Sequence, residues 1–513
     1  MLQVMRALAR PGVGLLAVTL GGCSAVLDFD DQCSVDDDCA TIDRGLRCDE
    51  GMCVPKPLVD PSVGCDRLYG EDPRNAAPGS VLTIGTLLPF TGALGSFGPG
   101  MDNAVRLAVD AINQNGGING VKLGVLGCDS ATNPDAAEKA ARHLVDVAKV
   151  PVIIGPGGST VAIETFNRVA RAARVLMISA SATSPAISNL PDDGLLWRTV
   201  PSDAIQGEAI AEYMRNRNYR RVVVVNRNDA YGNGLASVVA ARFCGPSGPG
   251  CTSQNFVTRI YSQLDLTPKQ AEDQQKIANE LEVIDPDVVV VVGYMSDGLS
   301  FLNLAKGKGY PFILTDGMRD IALTEGIKDA SDNVIVPGLD DLEMVCGIVG
   351  TNPASPAGPL YDAFARAYAA NFQADPTTFA AQAYDATWVV ALGIAGAFGA
   401  GHVAPGGREV AEGIARLIRG EEIIGGFVPP GNFGRGVEIL AGSATSTVDY
   451  VGVSGALDFD VTVGEASSGI EMWRVDPDTD TILNLGIVFD GKDAYDFSTV
   501  AADSGSVSCQ SLP

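Results

Sequence analysis

Residues 81–129 read VLTIGTLLPFTGALGSFGPGMDNAVRLAVDAINQNGGINGVKLGVLGCD, and the pattern of apolar residues changes twice along them. An apolar run from Val81 to Leu88 stops at Pro89 and gives way to a Gly-rich loop. From Met101 the apolar residues recur at helical spacing, with Ala104, Leu107, Ala108, Ala111 and Ile112 on one face. Asn115-Gly116-Gly117 ends that helix, because glycine adopts the left-handed cap at little cost. Val121 to Gly127 then reads as a second buried strand. Strand, crossover helix and strand form a βαβ unit, which predicts a parallel sheet with helices on both faces. Ligands of such sheets sit beyond the carboxyl ends of the strands, so the loop Thr91 to Gly100 faces a candidate site.

The same alternation continues downstream. Asn133-Pro134 opens a helix in the order of cap and first-turn proline, running to about Lys149. Strand Pro151 to Ile154, helix Ser159 to Ala173 and strand Val175 to Ser179 follow. A second set comprises helix Ser202 to Asn218, strand Arg221 to Asn226, helix Tyr231 to Phe243, and a polar helix from Thr267-Pro268 to about Ile284. The valine run within Asp287 to Gly293 suits the centre of a parallel sheet, and Pro311 to Thr315 and Asn333 to Pro337 are expected to complete that set. Two helices, Tyr361 to Phe372 and Phe379 to Phe398, precede two strand-like segments joined by Asp476 to Asp480. Residues 386–398 are apolar but too short to span a bilayer, so a buried helix is expected. The two groups of strands, 81–200 and 220–337, predict an α/β protein of two doubly wound lobes facing one another.

A chain of 513 residues exceeds one core, and 46% hydrophobic with 19% charged residues is ordinary for a globular protein. The net charge of −26 argues against nucleic acid as a partner, because an acidic surface repels phosphate. Residues 1–22 carry Arg6 and Arg10, an apolar stretch and then small residues, the order of a secretory signal. Leu20-Gly21-Gly22-Cys23 resembles a bacterial lipobox, which implies cleavage before Cys23, a lipid on its thiol, and a membrane anchor at the cell envelope, periplasmic or outer face. Cys33, Cys39, Cys48 and Cys53 crowd the segment that follows, which is too small for its own core; two disulfides are expected, in any of three connectivities. Zinc is disfavoured by the lack of CxxC spacing, and Asp36-Asp37-Asp38 reads as a solvated loop rather than a calcium site. The segment 23–60, with its linker, reads as a spacer or contact element near the membrane.

The sequence resembles the leucine/isoleucine/valine-binding family of type I periplasmic binding proteins, the substrate-binding lipoproteins of ABC transporters. The resemblance rests on IGTLLPFTGALGSFGPGMDNAVRLAVDAINQNGGINGVKL, LGCDSATNPDAAEKAARHLV, VIIGPGGSTVA, VLMISASATSP, VVVVNRNDAYGNGLA, VVGYMSDG and FILTDGM, in family order, and on YDATWVVALGIA around Tyr384. It implies a hinge of three crossovers, with lobe one from 78–203 plus 338–455 and lobe two from 204–337 plus 456–500. It also implies a ligand that closes the hinge by touching both lobes. The partners implied are a small amino-acid-like ligand and the permease and ATPase subunits of a transporter, with the binding protein a monomer and no cofactor or metal.

The resemblance also assigns a site. Ser159 and Thr160, at a helix start where a hydroxyl and free amides suit an anion, are expected to take the ligand carboxylate. Ala182 and Thr183 match the pair that offers backbone groups and a hydroxyl to the ligand head. Asp316 stands where the family has an acid for the ammonium, although aspartate is one methylene shorter than the usual glutamate. Tyr231 and Tyr294 fill the tyrosine positions on lobe two, and Phe97 the aromatic position in the opening loop. Some relatives join the position of Cys128 to a cysteine after the third strand, but here that loop is Gly155-Pro156-Gly157-Gly158, so Cys65 is the candidate partner. Cys244 and Cys251 bracket a small loop, Cys346 and Cys509 remain for each other, and Cys23 is left single, as lipidation requires. Residues 338–358 and 421–446 look longer than the family core needs.

Catalysis is not expected. GYMSDG misplaces serine for a nucleophile elbow, GPGGST lacks a P-loop lysine, His143 lies mid-helix and His402 sits in a Gly-rich loop. The expected function is capture of a small amino acid, of branched-chain type or related, for delivery to a permease. The alternative is a lipid-anchored receptor of the same fold that senses an amide, urea or aromatic acid.

Overall fold

The computed structural model describes residues 32–489 except 247, 265, 330, 356–357, 418–422, 426–431 and 467. The expected signal peptide 1–22, Cys23, Cys509, the end of lobe two beyond 489 and part of 421–446 lie outside the described residues. The chain divides at Lys56 into a small N-terminal unit and a main body.

In the small unit a short helix, Asp36–Ala40, precedes a hairpin of Leu46–Asp49 and Met52–Pro55. Disulfides Cys33–Cys48 and Cys39–Cys53 select one of the three connectivities. The acidic run serves the backbone: Asp38 accepts from the Ser34 and Val35 N–H groups, which hold its carboxyl below the usual range, and Asp36 accepts from Cys48 N–H.

Two large sheets form the framework of the main body. The first runs in the order 459–460, 465–466, Leu196–Arg198, Leu176–Ser179, Val152–Ile154, Val81–Leu88, Lys122–Asp129 and Arg67–Gly70. Val81–Leu88 sits between Val152–Ile154 and Lys122–Asp129, parallel to both, so the opening βαβ unit lies within the sheet as expected. Its crossover helix is Gly98–Gln114, which buries Met101, Ala104, Val105, Ala108 and Ile112; left-handed Gly116 and Gly117 follow it. Arg67–Gly70 closes one edge antiparallel to Lys122–Asp129. Its docking is fixed by the disulfide Cys65–Cys128.

The second sheet runs Phe256–Tyr261, Val222–Arg227, Val288–Val292, Phe312–Leu314, Ile348–Pro353, Ile470–Asp476 and Thr481–Phe489. The valine run is wholly buried between two parallel neighbours. The last two strands return antiparallel as a hairpin. Disulfide Cys244–Cys251 closes the small loop in this lobe. Cys346 is also disulfide-bonded.

Three expectations need correction. Val334–Val336 does not enter the sheet but pairs with Ile327–Lys328 in a separate ribbon, with Val334 and Ile335 exposed. Its place is taken by Ile348–Pro353, buried at every residue and parallel to Phe312–Leu314, so lobe two extends to Pro353 rather than 337. At the other boundary, Glu465–Ala466 pairs with Leu196–Arg198, so lobe one extends past 455 to Ala466. Helix Ala380–Gly399 is buried from Ala380 to Ala397, and among the described residues no helix is long and apolar enough to cross a membrane.

Candidate ligand-binding cleft

The parallel strands of both sheets end toward one cleft, and the sequence-derived site residues follow those ends. Helix Ser159–Thr165 starts beyond Val152–Ile154, Ala182 and Thr183 lie beyond Leu176–Ser179, and Tyr231 follows Val222–Arg227. Tyr294 follows Val288–Val292 and Asp316 follows Phe312–Leu314.

On lobe one, Ser159 Oγ accepts from Ser184 N–H at 3.1 Å, locking two strand-end loops together. Arg198 is fully buried below them; it donates to the carbonyls of Ala182 and Ser184 and pairs with Glu465. Thr183 Oγ1 donates to Asp203 Oδ2 at 3.0 Å.

On lobe two, the Tyr231 hydroxyl donates to Asp316 Oδ1 at 2.6 Å and lies 2.7 Å from Thr315 Oγ1. Its ring stacks on Tyr294, with centroids 5.3 Å apart and planes inclined 13°. The Arg227 guanidinium also lies over the Tyr294 ring, 3.7 Å from its centroid. Arg227 is itself paired with Asp229, at 2.5 Å, and with Asp297. Burial alone would lower its pKa, but Asp297 and Asp229 outweigh that and keep it firmly charged.

The lobes meet at Ala230. Thr160 Oγ1 accepts from its N–H at 2.9 Å, and Ser184 Oγ donates to its carbonyl at 2.7 Å. Beside this junction lies a cavity of about 190 Å³ lined from lobe one by Ala93, Thr132 and Thr160 and from lobe two by Arg227, Asp229 and Tyr294. Pockets for drug-sized ligands run to roughly 300–1,000 Å³, so this space suits a small solute.

Of the sequence-derived residues, Thr160 and Tyr294 line this cavity, whereas Ser159, Ala182, Thr183, Tyr231 and Asp316 are buried behind it around the lobe junction. Phe97 is engaged differently: its buried ring packs edge-on against Phe379 at 5.5 Å, forming the inner support of the lip rather than its face. Gly158, with φ of 83°, keeps the floor open; a Cβ there would sit 3.1 Å from Leu94 and 3.3 Å from the Tyr294 hydroxyl.

Sequence reading missed Asp203 and Gln206. Asp203 is fully buried at the first residue of helix Asp203–Asn216, and its Oδ1 has no hydrogen-bond donor among the described residues. Burial and the nearby Asp316 carboxylate raise the Asp203 pKa well above the ordinary range. Asp316 is also raised by burial, with its donors Tyr231 and Gln206 opposing the shift. The available signal was Pro201-Ser202-Asp203, an acid immediately after a crossover, which reads equally well as a plain helix start.

Residues 81–436 match the family model described as periplasmic binding protein. The Leu/Ile/Val-binding protein BraC3 of Rhizobium johnstonii is 31% identical over 42% of this chain and 56% of its own length. The chain spans a similar share, 55%, of the Leu/Ile/Val-binding protein homolog 3 of Brucella melitensis. The chemotactic signal transduction system substrate-binding protein BasB of Halobacterium salinarum is 26% identical over 81% of this chain and 93% of its own. The branched-chain amino acid transporter substrate binding protein LivJ of Streptococcus pneumoniae, in complex with isoleucine, superposes with a TM-score of 0.58 at 22% identity, covering 80% of this chain and 97% of that one. An R. palustris solute binding protein in complex with benzoate gives 0.60 at 18%, covering 80% and 96%. At these identities the solved structures share the fold. With the family match spanning most of the sequence and both lobes built as that fold requires, this chain belongs to the periplasmic binding protein family.

Proposed function

We propose that the protein is the extracytoplasmic substrate-binding component of an ABC transporter, held at the cell envelope by a lipid on Cys23, and that it captures a small amino acid in the interlobe cleft. The single observation that supports this reading best is the pair Asp203 and Asp316. Both are buried beyond the strand ends beside the lobe junction, and the buried arginines Arg198 and Arg227 are already committed to Glu465, Asp229 and Asp297. Uncompensated buried carboxylates cost several kcal/mol, and a ligand ammonium placed between them offsets that cost. On lobe one the start of helix Ser159–Thr165, with the Ser159 hydroxyl, suits the ligand carboxylate. The binding protein does no covalent chemistry, and micromolar affinity, about −8 kcal/mol, is enough for delivery to a permease.

A second reading, a receptor that senses the same ligand and signals through a separate protein, is favoured by one observation: BasB, named for chemotactic signal transduction, aligns along most of both chains. Thermal denaturation against aliphatic amino acids, amides, urea and benzoate tests the ligand class. Stabilisation by about 2.7 kcal/mol is expected at a hundredfold excess over the dissociation constant. Stabilisation by benzoate but not by any amino acid contradicts the reading.

A further inference from the structure

Gln206 stands one helical turn after Asp203 and is buried to 1% exposure. Its Nε2 donates to Asp316 Oδ1 at 3.1 Å and lies 3.0 Å from Thr351 Oγ1 and 3.3 Å from Thr351 O. Only the amide nitrogen can face a carboxylate and a carbonyl together, so chemistry fixes which way the side chain points. Its Oε1 has no donor among the described residues, so the side chain makes all its hydrogen bonds through the end that faces Asp316 and Thr351.

The three residues come from different parts of the hinge. Gln206 lies in the first helix after the crossing at 199–202. Thr351 lies in the last strand before the chain leaves lobe two, and is paired with Met472 on the strand by which it returns. Asp316 belongs to the ligand face. We propose that Gln206 is a positioning residue, whose amide holds the Asp316 carboxylate toward the cleft and ties it to the strands at the second and third crossings. It touches no ligand. Through it, whatever engages Asp316 also loads the segments that bend when the lobes open and close.

The inference deepens the amino-acid reading but has a readout that does not depend on it. Asp316 is faced by Asp203 on the helix of Gln206, by Tyr231 on helix Ala230–Phe243 and by Tyr294 before helix Met295–Ala305. Tyr231 and Gln206 supply its side-chain hydrogen bonds. Replacing Gln206 by leucine keeps the volume and removes a donor, so the carboxyl becomes easier to protonate.

The test is a pH titration of the ligand-free full chain, carrying ¹³C-labelled aspartate carboxyls, by nuclear magnetic resonance, with the Asp316 signal assigned from an Asp316→Asn spectrum. In Gln206→Leu the Asp316 midpoint moves to higher pH, and in Thr351→Val it moves less, in the same direction. An unchanged midpoint in folded Gln206→Leu overturns the proposal. If that variant does not fold, Gln206→Asn, whose amide is withdrawn by one methylene, replaces it under the same criterion. In parallel, L-leucine binding to the parent and to Gln206→Leu is followed from pH 4 to 8, with affinity expected to fall about tenfold in the variant and its acid limb to shift upward. If L-leucine does not bind the parent, the amino-acid reading fails while the carboxyl midpoint still decides the role of Gln206.

Discussion

Thr160 Oγ1 accepts a hydrogen bond from the Ala230 N–H at 2.9 Å, joining the lobes beside the cleft cavity. Because it closes across the hinge, this bond is made only when the lobes are together. Thr160→Val preserves shape and removes the acceptor. A neutral hydrogen bond contributes about 0.5–1.5 kcal/mol. Ligand release measured by stopped flow is therefore expected to quicken about twofold to tenfold, with association little changed.

Asp203→Asn tests the carboxylate pair. The raised pKa of Asp203 means that the native state holds its proton more tightly than the unfolded chain, so this group lowers stability as pH rises through the unfolded value near 3.9 toward the native one. The asparagine variant is expected to be at least as stable as the parent near pH 7, with the difference disappearing toward pH 4, as measured by chemical denaturation. Its affinity for L-leucine should nevertheless fall, by roughly tenfold to a hundredfold for the loss of one charged contact. Higher stability together with weaker binding separates a ligand anchor from a structural acid.

Asp385 is such a structural acid. Its carboxylate accepts from Tyr450 Oη, Val453 N, Ser454 N and Ser454 Oγ at 2.5–3.0 Å, fastening helix Ala380–Gly399 to the strand Asp449–Gly452 and the turn after it. Burial, only partly offset by these donors, pushes its pKa up to about 6. Between about pH 4 and that value the native state binds the extra proton, so stability falls as pH rises and then levels. Asp385→Asn should make this slope shallower in denaturation curves taken from pH 4 to 8. It should also lower stability at pH 7 by about 1–3 kcal/mol, because an amide nitrogen takes the place of the oxygen that accepts from Ser454 N–H and Oγ–H.

The central βαβ unit was legible in the sequence because its period changes abruptly, from a continuous apolar run to helical spacing, and glycines mark the helix end. The placement of Ser159, Ala182, Thr183, Tyr231, Tyr294 and Asp316 after strand ends was legible because continuous apolar runs announce those strands; their part in binding is a proposal. Ile348–Pro353 was not, since IVGTNP contains glycine, asparagine and proline and becomes a core strand through its neighbours Phe312–Leu314 and Ile470–Asp476. Val334–Val336 has the stronger β composition but stays outside the sheet, where two of its three residues are exposed. Asp203 and Gln206 were hidden for a different reason. Their significance depends on Asp316 and Thr351, more than a hundred positions away in the chain, and a local pattern shows only a helix start.

The disulfide Cys65–Cys128 pins the edge strand Arg67–Gly70 to the central sheet and closes a loop of 63 residues. Loop-closure entropy for that length corresponds to about 4 kcal/mol in the chain-entropy model. The double variant Cys65→Ala/Cys128→Ala should lose stability of that order in urea unfolding while still binding ligand, because neither cysteine borders the cleft cavity.

The most direct measurement compares calorimetric affinities for L-leucine and 4-methylpentanoate, which differ by the ammonium alone, in the parent and in Asp316→Asn. Asp203 and Asp316 together should make the parent prefer L-leucine by at least a hundredfold, and Asp316→Asn should erase most of that preference. Equal affinity of the parent for both compounds, or tighter binding of the deaminated acid, would contradict the account of the cleft as an amino-acid site.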